Sequence, residues 1–245
     1  MTAMRRAIIA LALIALWEAA YQFGALNPII FGAPSLIIKA AITDGTSFLT
    51  AFRITLFEIA VATAIAWIIG ISLGVMLGAS HLASRIAAPI LSSLIALPLV
   101  ILYPLLMAWT GMGPQSKIIF GVLSGIFPIA LNALVGVRDL DPGFRRMAEA
   151  MGASQSQVLW LVLAPLALPA IISGLRLGTA LIIIGVVLSE MLGSIDGIGF
   201  WISYHRSLFN TGQVYLGILL ALAMAAIANA ALTLIEKKYA RAARA

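Results

Sequence analysis

The chain has 245 residues, of which 62% are hydrophobic and only 10% charged, with a formal net charge of +6. At a mean hydropathy of +1.10 it lacks the polar surface of a soluble domain, in which about 25% of residues are charged, and it is too short to hide so much apolar surface inside one globule. A water-soluble enzyme, a nucleic-acid binder and a disordered chain are all disfavoured, which leaves an all-α integral membrane protein.

There is no cysteine, so neither disulfides nor thiolate metal sites are available. The positive charges are scattered between apolar runs instead of being striped along one face, so they read as topology signals. A helix crossing the hydrocarbon core needs about 20 mostly apolar residues. Six such helices are expected, near 7–24, 54–79, 86–108, 117–136, 170–190 and 212–235.

The first follows Arg5 and Arg6 and contains Glu18 and Gln22. A cleavable signal peptide has a similar start, but apolar text continuing past Trp17 and Tyr21 favours a retained helix. The second carries Gly70, Gly74 and Gly78 at four-residue spacing. That is either a small-residue face for close helix contact or the general tolerance of membrane helices for glycine. Pro89, Pro98 and Pro104 interrupt the third, which is expected to kink or break. Broken helices at membrane depth line cavities or are buried in protein, so residues 97–104, with Pro98 and Tyr103, are candidates for a pathway wall. Gly111 to Lys117 lacks the spacing of a phosphate-cradling loop and reads as a turn before the fourth helix. That helix carries Asn132, expected to bond between helices and kept as a pathway candidate.

The segment Arg138 to Pro169 is the longest polar connection. Asp141 before Pro142 is a helix start, with Asp as cap and Pro in the first turn. Phe144, Met147, Ala148 and Met151 then share one helical face, with Arg145, Arg146 and Glu149 on others. Gly152 is placed to end this helix, and Ser154 to cap another beginning at Gln155. The result is a short amphipathic helix pair, suited to lipid headgroups or to the groove of a partner protein.

This segment resembles the cytoplasmic loop of permease subunits of ATP-binding-cassette (ABC) importers, the binding-protein-dependent transport inner-membrane component family. The family signature runs Glu-Ala-Ala, three residues, Gly, nine residues, Ile-x-Leu-Pro. Gly152 takes the glycine place and Val162-Leu163-Ala164-Pro165 the final tetrapeptide, while Arg146-Met147-Ala148 stands in the Glu-Ala-Ala place. The alanine matches and the acidic residue does not; Glu149 lies three residues later. The surrounding text, with Leu16-Trp17-Glu18 and Ala33-Pro34-Ser35 near the start, is similar to nitrate/sulfonate/taurine-type permeases over almost the whole chain.

The resemblance implies a type I importer permease fold: a single transmembrane domain over 1–245 with a coupling loop over 138–169. It assigns contact with a cytoplasmic ATPase subunit to Asp141, Arg146, Ala148, Glu149, Gly152, Ala153 and Ser154. ATP and Mg would bind that partner, and this chain would hold no cofactor or metal and catalyse nothing itself. The other implied partners are a periplasmic or extracellular substrate-binding protein, a second permease copy and the lipid bilayer, with no nucleic acid. The cargo would be a small anion such as nitrate, sulfonate, taurine or a related organic acid, although related systems carry aromatic acids and vitamin precursors.

The fifth and sixth helices add Arg176, Glu190 and Asn229. Glu18, Glu58, Arg176 and Glu190 all fall near predicted helix ends and are expected to reach the solvated interface, because an ionisable group buried alone is costly. Glu190 is also retained as a pathway candidate. Tyr103, Trp109, Trp201, Tyr204, Phe209 and Tyr215 gather toward one face, as an interfacial aromatic belt does. His81 and His205 fall on opposite sides and share no metal.

Placing the N-terminus inside puts Arg5, Arg6, Arg85, Arg138, Arg145, Arg146, Lys237, Lys238, Arg241 and Arg244 in the cytoplasm, against Lys39, Arg53, Lys117 and Arg206 outside. Both termini are then cytoplasmic, in a bacterial inner membrane. The competing reading, a stand-alone secondary carrier, would show repeats with paired interrupted helices and midplane charges.

Overall fold

The structure is a computed structural model that describes the backbone of residues 3–242 and the side chains of residues 4–5 and 8–234. Of the cations used for orientation, the side chains of Arg6, Lys237, Lys238 and Arg241, and all of Arg244, lie outside the described residues.

The described chain is helical, with no strand. In order it forms α1 (Ala3–Gln22), α2 (Pro34–Thr43), α3 (Gly45–Gly78) and α4 (His81–Ala96). A 3₁₀ turn (Leu99–Leu102) leads into α5 (Tyr103–Thr110), followed by α6 (Pro114–Arg138) and α7 (Pro142–Ala150). The short α8 (Gln155–Gln157), a π-helical turn (Val158–Leu163) and α9 (Ala164–Leu166) come next. Then follow α10 (Leu168–Gly193), α11 (Ile198–Ser207) and α12 (Thr211–Ala242).

Helices α3, α6, α10 and α12 are long and apolar enough to cross a membrane. The expected third span, 86–108, is instead α4 and the segment Leu99–Thr110, bent by 77° at the break. Leu97 precedes Pro98 and takes an extended conformation (φ −69, ψ 134), because a proline ring clashes with a helical residue before it. Counting this bent pair as one span gives five among the described residues. The apolar part of α1, Ile8–Gln22, is shorter. The second span begins at Gly45, well before residue 54, and the short helices α2 and α11 were not expected from the sequence.

The described chain divides into two compact units, residues 1–56 with 190–223 and residues 57–189 with 224–245. In the second unit, α6 is gripped from two sides at glycines. A Cβ on Gly74 would strike the Ala130 carbonyl and the Ala133 side chain, and one on Gly78 would strike the Leu134 carbonyl. Gly70 meets Ile129 in the same way. The three glycines of α3 are therefore a contact face, and the alternative of mere tolerance falls away. On α10, Gly174 and Gly178 admit Asn132 and Ile129 of α6 equally closely. Such close approach lets dispersion and backbone contacts replace the hydrophobic drive that lipid removes. α4 completes the packing, with Leu91 against Ala130 and Leu134 of α6.

In the first unit, two short helices begin on carboxylates supplied from elsewhere in the chain. Glu18 of α1 accepts from the Ser35 amide (3.0 Å) and hydroxyl (2.9 Å) at the start of α2. Glu190 of α10 accepts from the Gly199 amide (2.7 Å) at the start of α11. Helix N-termini leave amides unpaired and carry partial positive charge, so a carboxylate satisfies both needs.

Candidate functional site

The loop between α6 and α10 is built from consecutive helix start and stop signals. Asp141 Oδ1 accepts from the Gly143 amide (2.8 Å), and Pro142 occupies the first helical position of α7. The helix stops at Gly152, whose φ of +83 is a left-handed conformation that glycine adopts without a Cβ penalty. The Ala153 amide bonds back to Ala148 (3.1 Å) and the Gly152 amide to Glu149 (3.0 Å), which satisfies the final carbonyls. Ser154 then starts α8 with a reciprocal cap: its hydroxyl accepts from the Gln157 amide (3.3 Å) and Gln157 Oε1 accepts from the Ser154 amide (2.8 Å). The following turn widens to π geometry before Pro165, which has no amide to donate and crowds the carbonyl one turn back.

Arg145 fixes this loop to the rest of its unit. Its Nη1 donates to the Ala79 carbonyl at the α3–α4 turn (2.7 Å), its Nη2 to Gln155 Oε1 of α8 (2.9 Å) and its Nε to Glu149 Oε1 (3.0 Å). One planar guanidinium thereby ties α7 to α8 and to the end of α3. The Arg145 hydrogen bond holds the Glu149 carboxyl below the usual carboxylate range, with burial acting the other way. Arg145 and Gln155 were not among the expected contact residues. The available signal was the Arg145/Glu149 spacing of one helical turn.

The expected coupling residues thus come together on one helix and its exit. Ala148 is buried, as are Val158 and Leu163 of the same loop. Asp141, Arg146, Glu149, Gly152 and Ser154 are exposed, and Ala153 is half-buried. The apolar face expected from Phe144, Met147 and Met151 points outward; Met147 is 59% and Met151 82% exposed.

The pathway candidates divide between the units. Pro98 opens the 3₁₀ turn after the break. Tyr103 is fully buried, edge-on to Phe120 with ring centroids 5.3 Å apart. Asn132 Nδ2 donates within its own helix to the Pro128 carbonyl (2.8 Å), not across to another. Glu190 is also buried and accepts from Thr55 Oγ1 (2.7 Å). Thr55 Oγ1 in turn accepts from the Ile198 amide (2.8 Å).

The expectation of solvated interfacial charges is corrected for two residues. Glu190 and Glu58 are buried, and Glu58 pairs with Lys117, itself only 2% exposed. Pairing offsets part of the cost of burial for Glu58 and Lys117, and the Thr55 hydroxyl and Gly199 amide do so for Glu190. The aromatic belt also loses Tyr103 and Trp201 to the interior, whereas Trp109, Tyr204 and Phe209 are exposed. Asn229 is exposed.

Residues 66–241 match the family model described as the binding-protein-dependent transport system inner membrane component. The chain belongs to this family. It is the membrane-spanning permease subunit of an ABC importer, working with ATPase and binding-protein partners. The matched range takes in the glycine face of α3, the bent pair and the whole α7 loop.

Two curated relatives are the taurine transport system permease protein TauC of Escherichia coli (strain K12) and the nitrate import permease protein NrtB of Synechocystis sp. (PCC 6803). The first is 28% identical over 213 residues, covering 84% of this chain and 78% of its own. The second is 31% identical over 169 residues, covering 67% and 62%. Among solved structures, a chain of the MetNI methionine ABC transporter in an inward-facing conformation superposes with a TM-score of 0.69 at 19% identity. It covers 79% of this chain and 96% of its own length, which supports the permease fold.

Proposed function

We propose that α7 is the coupling helix of this permease, seated in a cleft of the cytoplasmic ATPase subunit and passing nucleotide-driven closure to the transmembrane helices. The observation that carries this reading is the two-sided character of α7. Phe144, Arg146, Met147 and Met151 face outward, while Arg145 binds the other side to the α3–α4 turn and to α8. A helix free on one face and anchored on the other passes force from a docked partner into the spans. Methionines suit such a contact because their flexible, polarisable side chains adapt to a groove. Contact residues are Asp141, Arg146, Ala148, Glu149, Gly152, Ala153 and Ser154, with ATP and Mg held by the ATPase.

This reading counts α1 as a sixth span and so sets α7 and both termini in the cytoplasm, in agreement with the excess of Lys and Arg on that side. The permease works as a homodimer, with Pro98, Tyr103, Asn132 and Glu190 near the route, and catalyses no reaction itself. The cargo is a small anion of the nitrate, sulfonate or taurine type, a reading supported by the named relatives. Selectivity resides mainly in the separate binding protein.

The test is assembly and coupling. Arg146→Glu places like charge against an acidic ATPase contact, and Gly152→Asp adds charge and backbone strain at the helix exit. Loss of ATPase co-purification or of transport-coupled ATP hydrolysis is expected for both. Unchanged assembly with unchanged coupling would sink the assignment. Uptake of labelled taurine and nitrate by the complete system tests the cargo class.

A further inference from the structure

The first unit carries a half-open cleft of about 370 Å³ between the start of α3, the loop before α11 and α11 itself. Its chemistry is one-sided. Asp44 and Asp196 line it together with Phe200, Trp201, Tyr204 and His205, and no lysine or arginine is among the lining residues. In a chain with only nine carboxylate side chains, two of them on one cleft make its lining acidic.

The groups are held in place. Gln213 Nε2 donates to Asp44 Oδ2 (3.0 Å). Phe200 and Tyr204 stack with centroids 5.8 Å apart, and Tyr204 meets His205 edge-on at 5.3 Å. Burial lowers the His205 pKa against an opposing pull from Asp44. Aromatic faces beside carboxylates attract a cation twice, through the ring quadrupole and through charge.

We infer that this cleft is a docking socket for a lysine or arginine side chain projecting from the soluble binding protein of the transport system. The inference rests on the orientation proposed above, which puts α11 on the outer face. Charge complementarity selects the occupant. Two carboxylates repel nitrate and the sulfonate group of an organic cargo, so the cleft does not hold the anionic end of the cargo. A protein-borne cation also fits an open cleft better than an enclosing pocket would. Such a contact fixes the register of the binding protein and speeds its encounter with the permease, the usual effects of charged groups at an interface.

The experiment uses the intact complex in lipid nanodiscs and the cognate binding protein, with affinity measured at low and high salt. The Asp44→Asn, Asp196→Asn double variant is expected to weaken docking roughly ten-fold or more at low salt and to flatten its salt dependence. Tyr204→Ala weakens docking without changing the salt slope. A binding-protein Lys→Glu or Arg→Glu variant that docks only on Asp196→Lys permease identifies the occupant. Unaltered docking by the double Asn variant, with normal assembly and thermal stability, overturns the inference. Butylammonium bound by the free permease with docking unaffected also overturns it, in favour of a small-amine site.

Because the chain has no cysteine, Ser47→Cys reports the side directly through an impermeant maleimide. Outside labelling with unchanged docking defeats this inference alone, whereas labelling only after permeabilisation defeats the orientation as well.

Discussion

Glu58 and Lys117 show how single residues are used in this permease. Both have almost no access to solvent, and their pairing offsets the cost of burying each. Removing one partner strands a buried charge, at a cost of about 3–5 kcal/mol, while replacing both with apolar groups is far milder. Lys117→Met and Glu58→Leu should therefore each lower the thermal unfolding midpoint strongly in detergent. The double variant should recover most of the loss, and additive effects would contradict the pairing. Glu190 works differently, through the Thr55 hydroxyl and the Gly199 amide it accepts from. Glu190→Ala leaves both donors without this acceptor in a buried site, a loss of about 1–3 kcal/mol. Glu190→Gln, which keeps one acceptor oxygen, should lose less. Equal losses in the two variants would show that the carboxylate packs and does not cap.

Among the elements, α3 and α7 each depend on glycine, for different reasons. Gly74 is required by close approach: its Cβ would occupy the space of the Ala130 carbonyl and the Ala133 side chain on α6. Gly74→Ala should cost about 1–3 kcal/mol by overpacking, read as a lowered unfolding midpoint. Gly152 has open space around it and is required by its backbone alone, at φ +83. Gly152→Ala should cost about 1–2 kcal/mol and fray only α7, visible as faster amide exchange there. The α7 anchor also has a pH signature. Because the hydrogen bond from Arg145 lowers the Glu149 pKa, its contribution is fully present above the ordinary value of 4.5 and is lost as pH falls through the lowered one. Protection of α7 amides should therefore decline on acidification below about 4.5, and Glu149→Gln should abolish that dependence.

For the whole molecule, family membership has a direct consequence. As the permease subunit of an ABC importer it works with an ATPase partner, which supplies the energy of uptake. Purified permease reconstituted alone should give no ATP-driven uptake, and adding the ATPase subunit and the binding protein should restore it. Concentrative uptake by the permease alone, driven by an ion gradient, would instead identify a secondary carrier.

Much of this protein was legible in its sequence because the signals involved are local. Long apolar runs marked α3, α6 and α12, and a shorter one marked α10. Asp141-Pro142, Gly152 and Ser154 set the limits of α7 and the start of α8, since caps act within one helical turn. Pro98 fixed the break after α4. Tertiary structure alone decided the partners of the polar groups. Glu58 and Lys117 lie 59 residues apart, Thr55 and Glu190 135 apart, and Arg145 reaches back 66 residues to Ala79. A sequence shows that such groups are ionisable, but burial and pairing together set their energy, and both exist only once distant helices have packed. The same reason explains why the scarce charges, first useful as markers of orientation, emerged as the buried links and the loop anchor of the fold.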